Sequence, residues 1–362
     1  MKFGYFSHVW AKPGMQPSER YHQLWRELQV ADELGFEYGF CVEHHFRPDE
    51  SWMSDPNMFI VGAGARTKRI RLGAMGYVVP LHHPVRLAEE IAQADQMIDG
   101  RLEVGLVPGI VQEYFRPFGV DYPSRRAVTL EFVDFLKAAY TDAPHFDFNG
   151  EFYKLDRGKI GVNPKQRPTP PLWIETRDPP TLEFCAKRGI NSGYFFLFDR
   201  ASAAPRYRKY LEQWTAAGWP RPPRIGYSTA IYVDETDEKA IAKGLREAGR
   251  AYRSFVGSAP TDEALEEMLN ERADLFITRG EAGAAEIVRH LNNPEWLFEK
   301  DLILVGSPAT ITRKLKSWAT NGVFNTFLGE FNFGGLGEED LMRSIRLFGT
   351  EVMPALQDFE PF

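Results

Sequence analysis

Short apolar runs and longer amphipathic stretches alternate from the first residues of this chain, and that alternation restricts it to an α/β fold built on a parallel sheet. Apolar runs at 2–9, 38–42, 69–79 and 102–107 read as strands, each followed by residues at helical spacing. The stretch 18–34 puts Tyr21, Leu24, Leu28, Ala31 and Leu34 on one face and stops at Gly35, the residue that most easily turns the chain out of a helix. Helices follow at 57–67, at 84–98 (closed by Gly100) and at 126–140. The second half continues less regularly, with strands at 171–175, 192–198, 224–233 and 326–331 and helices at 180–188, 203–217, 235–255 and 309–321. About eight β/α units close a barrel, so a (β/α)8 TIM barrel is expected. Such a barrel needs roughly 250 residues, so about a hundred of the 362 must lie in insertions, at 109–125, 143–170 and 257–306. No Gly/Ser- or Pro-rich linker divides the chain, so 1–362 reads as one domain. A doubly wound open sheet would need a glycine-rich phosphate turn after its first strand, and Trp10-Ala11-Lys12-Pro13-Gly14 is no such turn.

Charge narrows the partners. The formal net charge is -7 and no Lys/Arg run offers a track for phosphates, which argues against nucleic acid. Two cysteines, Cys41 and Cys185, make no disulfide scaffold and suit a reducing compartment. The N-terminus runs straight into a strand pattern with no signal-peptide region, and no window reaches the ~18 apolar residues of a membrane span. A soluble, cytoplasmic protein is expected.

The chemistry concentrates at Glu43-His44-His45-Phe46, which closes the apolar run ending at Val42. In a barrel, the C-terminal ends of the strands carry the active site, because their loops converge there. A zinc site on Glu43, His44 and His45 is disfavoured, since neighbours on extended chain point to opposite faces. One of the two histidines should therefore face the pocket, and His44 is favoured, with Glu43 and His45 supporting it or lying on the cofactor side. Imidazole titrates near neutrality, so His44 can move a proton. Aromatic residues near the expected strand ends (Phe6, Trp10, Phe46, Tyr77, Tyr194, Phe195, Phe196, Phe198) can keep water out, with Phe6, His45, Phe46, Tyr77 and Phe196 as candidate pocket walls.

Several motifs then occur in order: Lys2-Phe3-Gly4, Glu43-His44-His45-Phe46, Leu72-Gly73-Ala74-Met75-Gly76, His83-Pro84-Val85-Arg86, Asp95-Gln96-Met97 with Gly100-Arg101, Phe115-Arg116-Pro117-Phe118-Gly119, Val305-Gly306-Ser307-Pro308 and Val352-Met353-Pro354. Together they resemble the bacterial luciferase-like family of flavin-dependent monooxygenases, its α subunit in particular, over nearly the whole chain. The resemblance implies reduced FMN supplied by a separate flavin reductase, dioxygen as co-substrate, a flavin C4a-peroxide, a small organic substrate and His44 as the catalytic histidine. It also implies a non-proline cis peptide at Ala74-Met75 under the flavin ring, where Met75 would help to hold the ring.

For the FMN phosphate, Arg126 opens the fourth helix, where free amides favour an anion. Glu175-Thr176-Arg177 matches the family's Glu-Ser phosphate turn with Thr in place of Ser. Here the chain departs from luciferase: Pro108 stands where a phosphate-contacting arginine is expected, and Val107 replaces a reactive cysteine. Arg177 is expected to compensate. The insertion 257–306 overlaps the family's mobile lid, and the family's paired barrels imply a homodimer, with the helix from Leu87 to Ile98 (Leu87, Ile91, Ala94 and Ile98) as the candidate face, or alternatively as core alone. Two other functions remain open: an oxidoreductase of the same barrel using the deazaflavin F420, and a non-catalytic flavin-binding partner subunit.

Overall fold

The computed structural model describes residues 1–362 apart from 13, 257–260, 279 and 334. Its strands are β1 (Lys2–Ser7), β2 (Tyr38–Cys41), β3 (Arg71–Val78), β4 (Leu102–Val107), β5 (Phe146–Asn149), β6 (Lys154–Gly158), β7 (Leu172–Glu175), β8 (Asn191–Phe195), β9 (Ile225–Val233), β10 (Leu304–Gly306) and β11 (Thr326–Glu330). The helices are α1 (Pro17–Leu34), α2 (Pro56–Gly64), α3 (Pro84–Met97), α4 (Arg125–Ala139), α5 (Pro179–Arg188), α6 (Arg200–Ala216), α7 (Asp237–Val256), α8 (Asp262–Ile277), α9 (Ala282–Arg289), α10 (Pro294–Glu299), α11 (Pro308–Gly322), α12 (Glu338–Leu347) and α13 (Met353–Leu356).

Eight parallel strands close on themselves in the order β1-β2-β3-β4-β7-β8-β9-β11, with β11 returning to β1 through Lys2↔Thr326 to Phe6↔Glu330. All eight expected barrel strands are present, because each is a buried run flanked by a helix of the right period. The helices start where the sequence offers caps. Asp55, Asp178, Asp199 and Ser307 accept backbone N–H groups at the starts of α2, α5, α6 and α11. Gly35 and Gly189 end α1 and α5 in the left-handed region, at φ 87° and 68°.

Inside the barrel, large and small residues interlock. Trp173 is fully buried, meets Tyr38 and Phe40 edge-on with ring centres 5.7 and 5.9 Å apart, and donates its indole N–H to Glu103 at 2.6 Å. The volume these rings take is matched by glycine on β3 and β4. A Cβ on Gly73 would lie 2.1 Å from the Glu103 carbonyl oxygen, and one on Gly105 2.2 Å from that of Ala74. The two strands therefore approach more closely than any side chain allows, directly beneath the mouth. Outside the barrel, Arg20 and Glu27 of α1 form a buried ion pair at 3.0 Å, and Glu27 also accepts from Tyr5 on β1 and from Asn332. That network fixes α1 against β1 and, through an Arg20 bond to the Trp10 carbonyl, fixes the loop that follows the strand.

Other elements were not anticipated. The insertion 143–170 holds the antiparallel hairpin β5–β6, whose short, mostly polar strands carry little periodic signal. It is fastened by Glu131 of α4, whose carboxylate accepts the N–H groups of Glu151, Phe152 and Tyr153. The insertion after β9 contains α8, α9, α10 and β10, which extends the upper half of β9; residues 257–260 and 279 of the expected lid lie outside the described residues. The stripe expected to pair two subunits faces inward instead: Leu87, Ile91, Ala94 and Ile98 are all buried in the barrel–helix core. Among the described residues no helix is long and apolar enough to cross a membrane.

Candidate active site

The C-terminal ends of β1, β2, β3, β7 and β11 bring His8, His44, Met75, Glu175 and Glu330 to one rim. His8 follows β1 directly. Both carboxylate oxygens of Glu330, the last residue of β11, lie within 2.9 Å of its Nδ1, and Glu330 also accepts the His8 backbone N–H and the Trp10 indole N–H. Burial opposes a charge on the His8 ring, but the Glu330 carboxylate beside it outweighs burial and raises its pKa.

His44 behaves in the opposite way. Its ring centre is 5.5 Å from that of His8, and its Nδ1 lies 3.0 Å from the Tyr114 hydroxyl and 3.3 Å from Glu50. Burial, then the positive charges of His8 and Arg47, hold its pKa well below the ordinary value. Two imidazoles in contact range are thus driven apart, one toward the charged form and one toward the neutral form.

His45 turns the other way, to Glu43 at 3.1 Å, with its ring against Phe118 at 4.9 Å. The two adjacent histidines differ in their side-chain hydrogen-bond partners, although both rings meet Tyr114. Glu43 is a buried hub: it also accepts from His82 at 2.9 Å and from the Val78 N–H at 2.9 Å. Although burial works against its charge, the bonds from His45 and His82 keep its carboxyl below the usual range.

Below the mouth, β3 bulges between Ala74 and Tyr77, and the cis peptide falls at Met75-Gly76. This corrects the expected position, Ala74-Met75, by one residue. Gly76 suits it because a Cβ there would lie 2.6 Å from the Gly105 carbonyl oxygen. The buried Met75 side chain follows the inward-facing Gly73 by two residues and so faces the barrel interior, whereas Ala74 faces the helices. Tyr77 also points away from the mouth: it is fully buried and donates its hydroxyl to Asn57 of α2 at 2.7 Å. Tyr194 does likewise, donating to the Gly322 carbonyl at 2.6 Å. Phe6 and Phe196 are buried near the rim. Phe46, at φ 56°, is 65% exposed at its outer edge beside Phe118 and Tyr114.

On the far side, the turn after β7 gathers cations. Arg177 stacks on Phe198 at 3.6 Å and pairs with Glu281; Arg206 of α6 donates to the Arg177 carbonyl at 3.0 Å; Arg126, largely exposed, pairs with Asp178 at 3.2 Å. The Thr176 hydroxyl accepts the Asp178 N–H, which leaves its proton free to donate. The Glu175 carboxyl has no hydrogen-bond or ion-pair partner among the described residues, and desolvation pushes its pKa up to about 7, with His8 pulling the other way. Three guanidinium groups, a hydroxyl and a readily protonated carboxyl are the kind of donors that could hold a phosphate.

His8, His44 and Glu50 also bring three possible metal-ligating atoms within 4.8 Å of one another. Arg47 already lies 2.9 Å from Glu50, and Glu330 favours the protonated form of His8. That positive charge disfavours a cation and suits proton handling.

His8, Glu330, Tyr114, Arg47 and Arg206 were not singled out as site residues in the sequence. The rule that found His44, polarity at the end of an apolar strand, applies equally to His8 and to Glu330. Arg206 gave no signal, since it lies inside a helix.

The sequence model of the luciferase-like monooxygenase family matches residues 1–324. The chain belongs to this family. It is 34% identical to the alkanal monooxygenase alpha chain of Aliivibrio fischeri over 364 residues, 99% of each chain. It is 32% identical to the oxygenase component of flavin-dependent trigonelline monooxygenase from Acinetobacter baylyi over 196 residues, 53% of each chain. The fold matches that of monooxygenase RslO1 from Streptomyces bottropensis with a TM-score of 0.82 at 23% identity, covering 98% and 99% of the two chains. The same luciferase-like fold is shared, over 98% of both chains, with an FMN-bound type II Baeyer-Villiger monooxygenase of Pseudomonas putida (TM-score 0.73, 19% identity). A coenzyme F420-dependent reductase of Methanopyrus kandleri matches over the same share (0.63, 21%).

Proposed function

We propose that this chain is the oxygenase of a two-component system that uses reduced FMN and dioxygen to oxygenate a small organic substrate. The observation that carries the reading is the pair of imidazoles at the rim, one held neutral and one favoured as charged, on the same barrel end as a cation-rich turn suited to a phosphate. When bound, reduced flavin supplies the electrons that activate dioxygen. The protein's own part is to bind, exclude water and take up a proton. Arg126, Arg177, Arg206 and Thr176 hold the phosphate end; Met75 and the closely packed β3–β4 floor support the ring. Phe6 and Phe196 exclude water. His44, uncharged and hydrogen-bonded to Tyr114, accepts a proton, and the neighbouring His8 supplies positive charge that Glu330 maintains.

A flavin reductase is the proposed partner, by analogy with the relative named as an oxygenase component. A homodimer and a cytoplasmic location belong to the same proposal, with the exposed Met58 of α2 and Met97 of α3 as the outer face left after the buried stripe is excluded. The second reading, use of F420, rests only on the fold shared with the reductase.

The test supplies chemically reduced FMN and air, or reduced F420 without oxygen. Oxygenated product with FMN supports the proposal, whereas turnover only with reduced F420 rejects it. Within the first outcome, His44→Ala should lower product formation by about 10²–10⁴-fold and raise hydrogen peroxide release. Unaltered product yield would remove His44 from the chemistry.

A further inference from the structure

Arg177 has two attachments to the insertion that follows β9. Its guanidinium carbon lies 3.6 Å from the centre of Phe198, on the turn after β8, and 5.9 Å from that of Phe276 near the end of α8. Its terminal nitrogen pairs with Glu281, the residue that immediately precedes α9. Both partners of that pair are largely buried, with side chains 16% and 22% exposed. Two rings thus frame the guanidinium, and its open edge holds a carboxylate.

Glu281 gives something up to make this contact. It occupies the N-cap position of α9, where a side-chain oxygen normally accepts a free N–H of the first turn, yet its side chain makes no cap bond. The first turn of α9 therefore leaves amides that its own carboxylate could satisfy, and the helix dipole favours a negative charge there. One carboxylate has two good positions: on Arg177, or on the start of its own helix. Arg177 in turn suits two anions, the Glu281 carboxylate and a phosphomonoester, since both present oxygens at the spacing of a guanidinium edge.

We propose that Glu281 and the phosphate of the cofactor exchange on Arg177, so that phosphate binding hands Glu281 back to the start of α9. The proposal rests on the reading of Arg177 as a phosphate residue. It makes the insertion respond to the phosphate rather than to the ring system: a flavin without a phosphate leaves the latch in place. The arrangement has the two defined states that a switch needs, each with its own contacts, and the ligand shifts the balance by binding one state only.

Removing the competitor should tighten phosphate binding, and this separates exchange from simple fastening. In the full-length protein, Glu281→Gln should bind FMN about fivefold more tightly, equal to about 1 kcal/mol, the order expected for a partly screened ion pair. Binding of riboflavin, followed by the same fluorescence titration, should not change. Glu281→Ser, which cannot pair with arginine but caps a helix well, should tighten FMN binding at least as much. In an Arg177→Ala background both effects should vanish, because no guanidinium is left to compete for. Unchanged or weaker FMN binding in Glu281→Gln, with wild type still preferring FMN over riboflavin, would overturn the exchange and leave the phosphate reading standing. Equal binding of FMN and riboflavin by wild type would sink both.

Discussion

Glu175→Gln should stabilise the protein, and only above mildly acidic pH. The carboxyl of Glu175 sits at the end of β7 with no hydrogen-bond or ion-pair partner among the described residues, and desolvation raises its pKa from 4.5 to about 7. The sign follows from linkage. The folded state holds this proton more tightly than the unfolded chain, so between those two values the folded protein binds more protons and stability falls as pH rises. Below pH 4.5 the acid is neutral in both states and the substitution should be nearly silent. Above about pH 7 the full penalty is present. At 1.36 kcal/mol per pH unit it amounts to about 3 kcal/mol. That figure is an upper limit, because water reaches the group from the mouth and screens it.

Converted to melting temperature, about 3 kcal/mol is about 4 °C for a chain of this length, at about 2.1 cal/mol/K of unfolding entropy per residue. Thermal unfolding of the two proteins at half-unit steps from pH 4 to pH 8.5 should show curves that coincide at the acid end and separate toward neutrality. The glutamine protein should melt higher. Parallel curves, or a gap that opens on the acid side, would refute the desolvated, unpaired state of Glu175. FMN adds a second reading. If the carboxyl lies beside the phosphate, the dianion raises its folded-state pKa further and adds to the wild type's penalty, so saturating FMN should widen the gap at pH 8. Riboflavin should not.

The other substitutions test the opposite rim and the floor. Glu330→Gln removes the carboxylate that raises the pKa of His8. It should destabilise the protein most below the ordinary histidine value, with the loss shrinking as pH rises through the raised value in the wild type. A loss that grows with pH would show that the His8 ring is neutral in the folded protein. Gly105→Ala would place a Cβ 2.2 Å from the Ala74 carbonyl oxygen and 3.1 Å from Met75 Cα, both backbone atoms that cannot swing aside. It should cost about 3 kcal/mol or more and weaken flavin binding with it; an unchanged melting temperature would mean that β3 and β4 are less tightly apposed than described.

How much of this was legible depended on whether a feature is periodic. The eight barrel strands and their helices were readable because burial on both faces of a strand, and on one face of a helix, writes a repeating pattern into the chain. The hairpin β5–β6 was not, since its side chains are mostly exposed and its register hangs on Glu131 reaching across from another helix. The stripe Leu87–Ile91–Ala94–Ile98 was legible as apolar but not as to what covers it: a core face and a subunit face share one pattern. The cis bond was misplaced by one residue because the resemblance marks a segment, while the bulge that shifts the pairing between Ala74 and Tyr77 is a matter of three dimensions.

The site follows the same division. His44 was found because it ends an uninterrupted apolar run, but what gives His44 its chemistry is not in its neighbourhood of the sequence. Its neutrality comes from burial and then from the charge of His8, 36 positions earlier, and the charge on His8 depends on Glu330, 322 positions later. Barrel closure is what makes these neighbours: β11 pairs with β1 at Phe6↔Glu330, two residues before His8. The last strand therefore sets the protonation of the first, and the first sets that of the second. A residue's identity can be read locally, whereas its pKa is a property of the closed ring of strands. An open sheet carrying the same motifs would separate Glu330 from His8, return both imidazoles toward ordinary titration, and lose the division into one charged and one neutral ring on which the proposed chemistry depends.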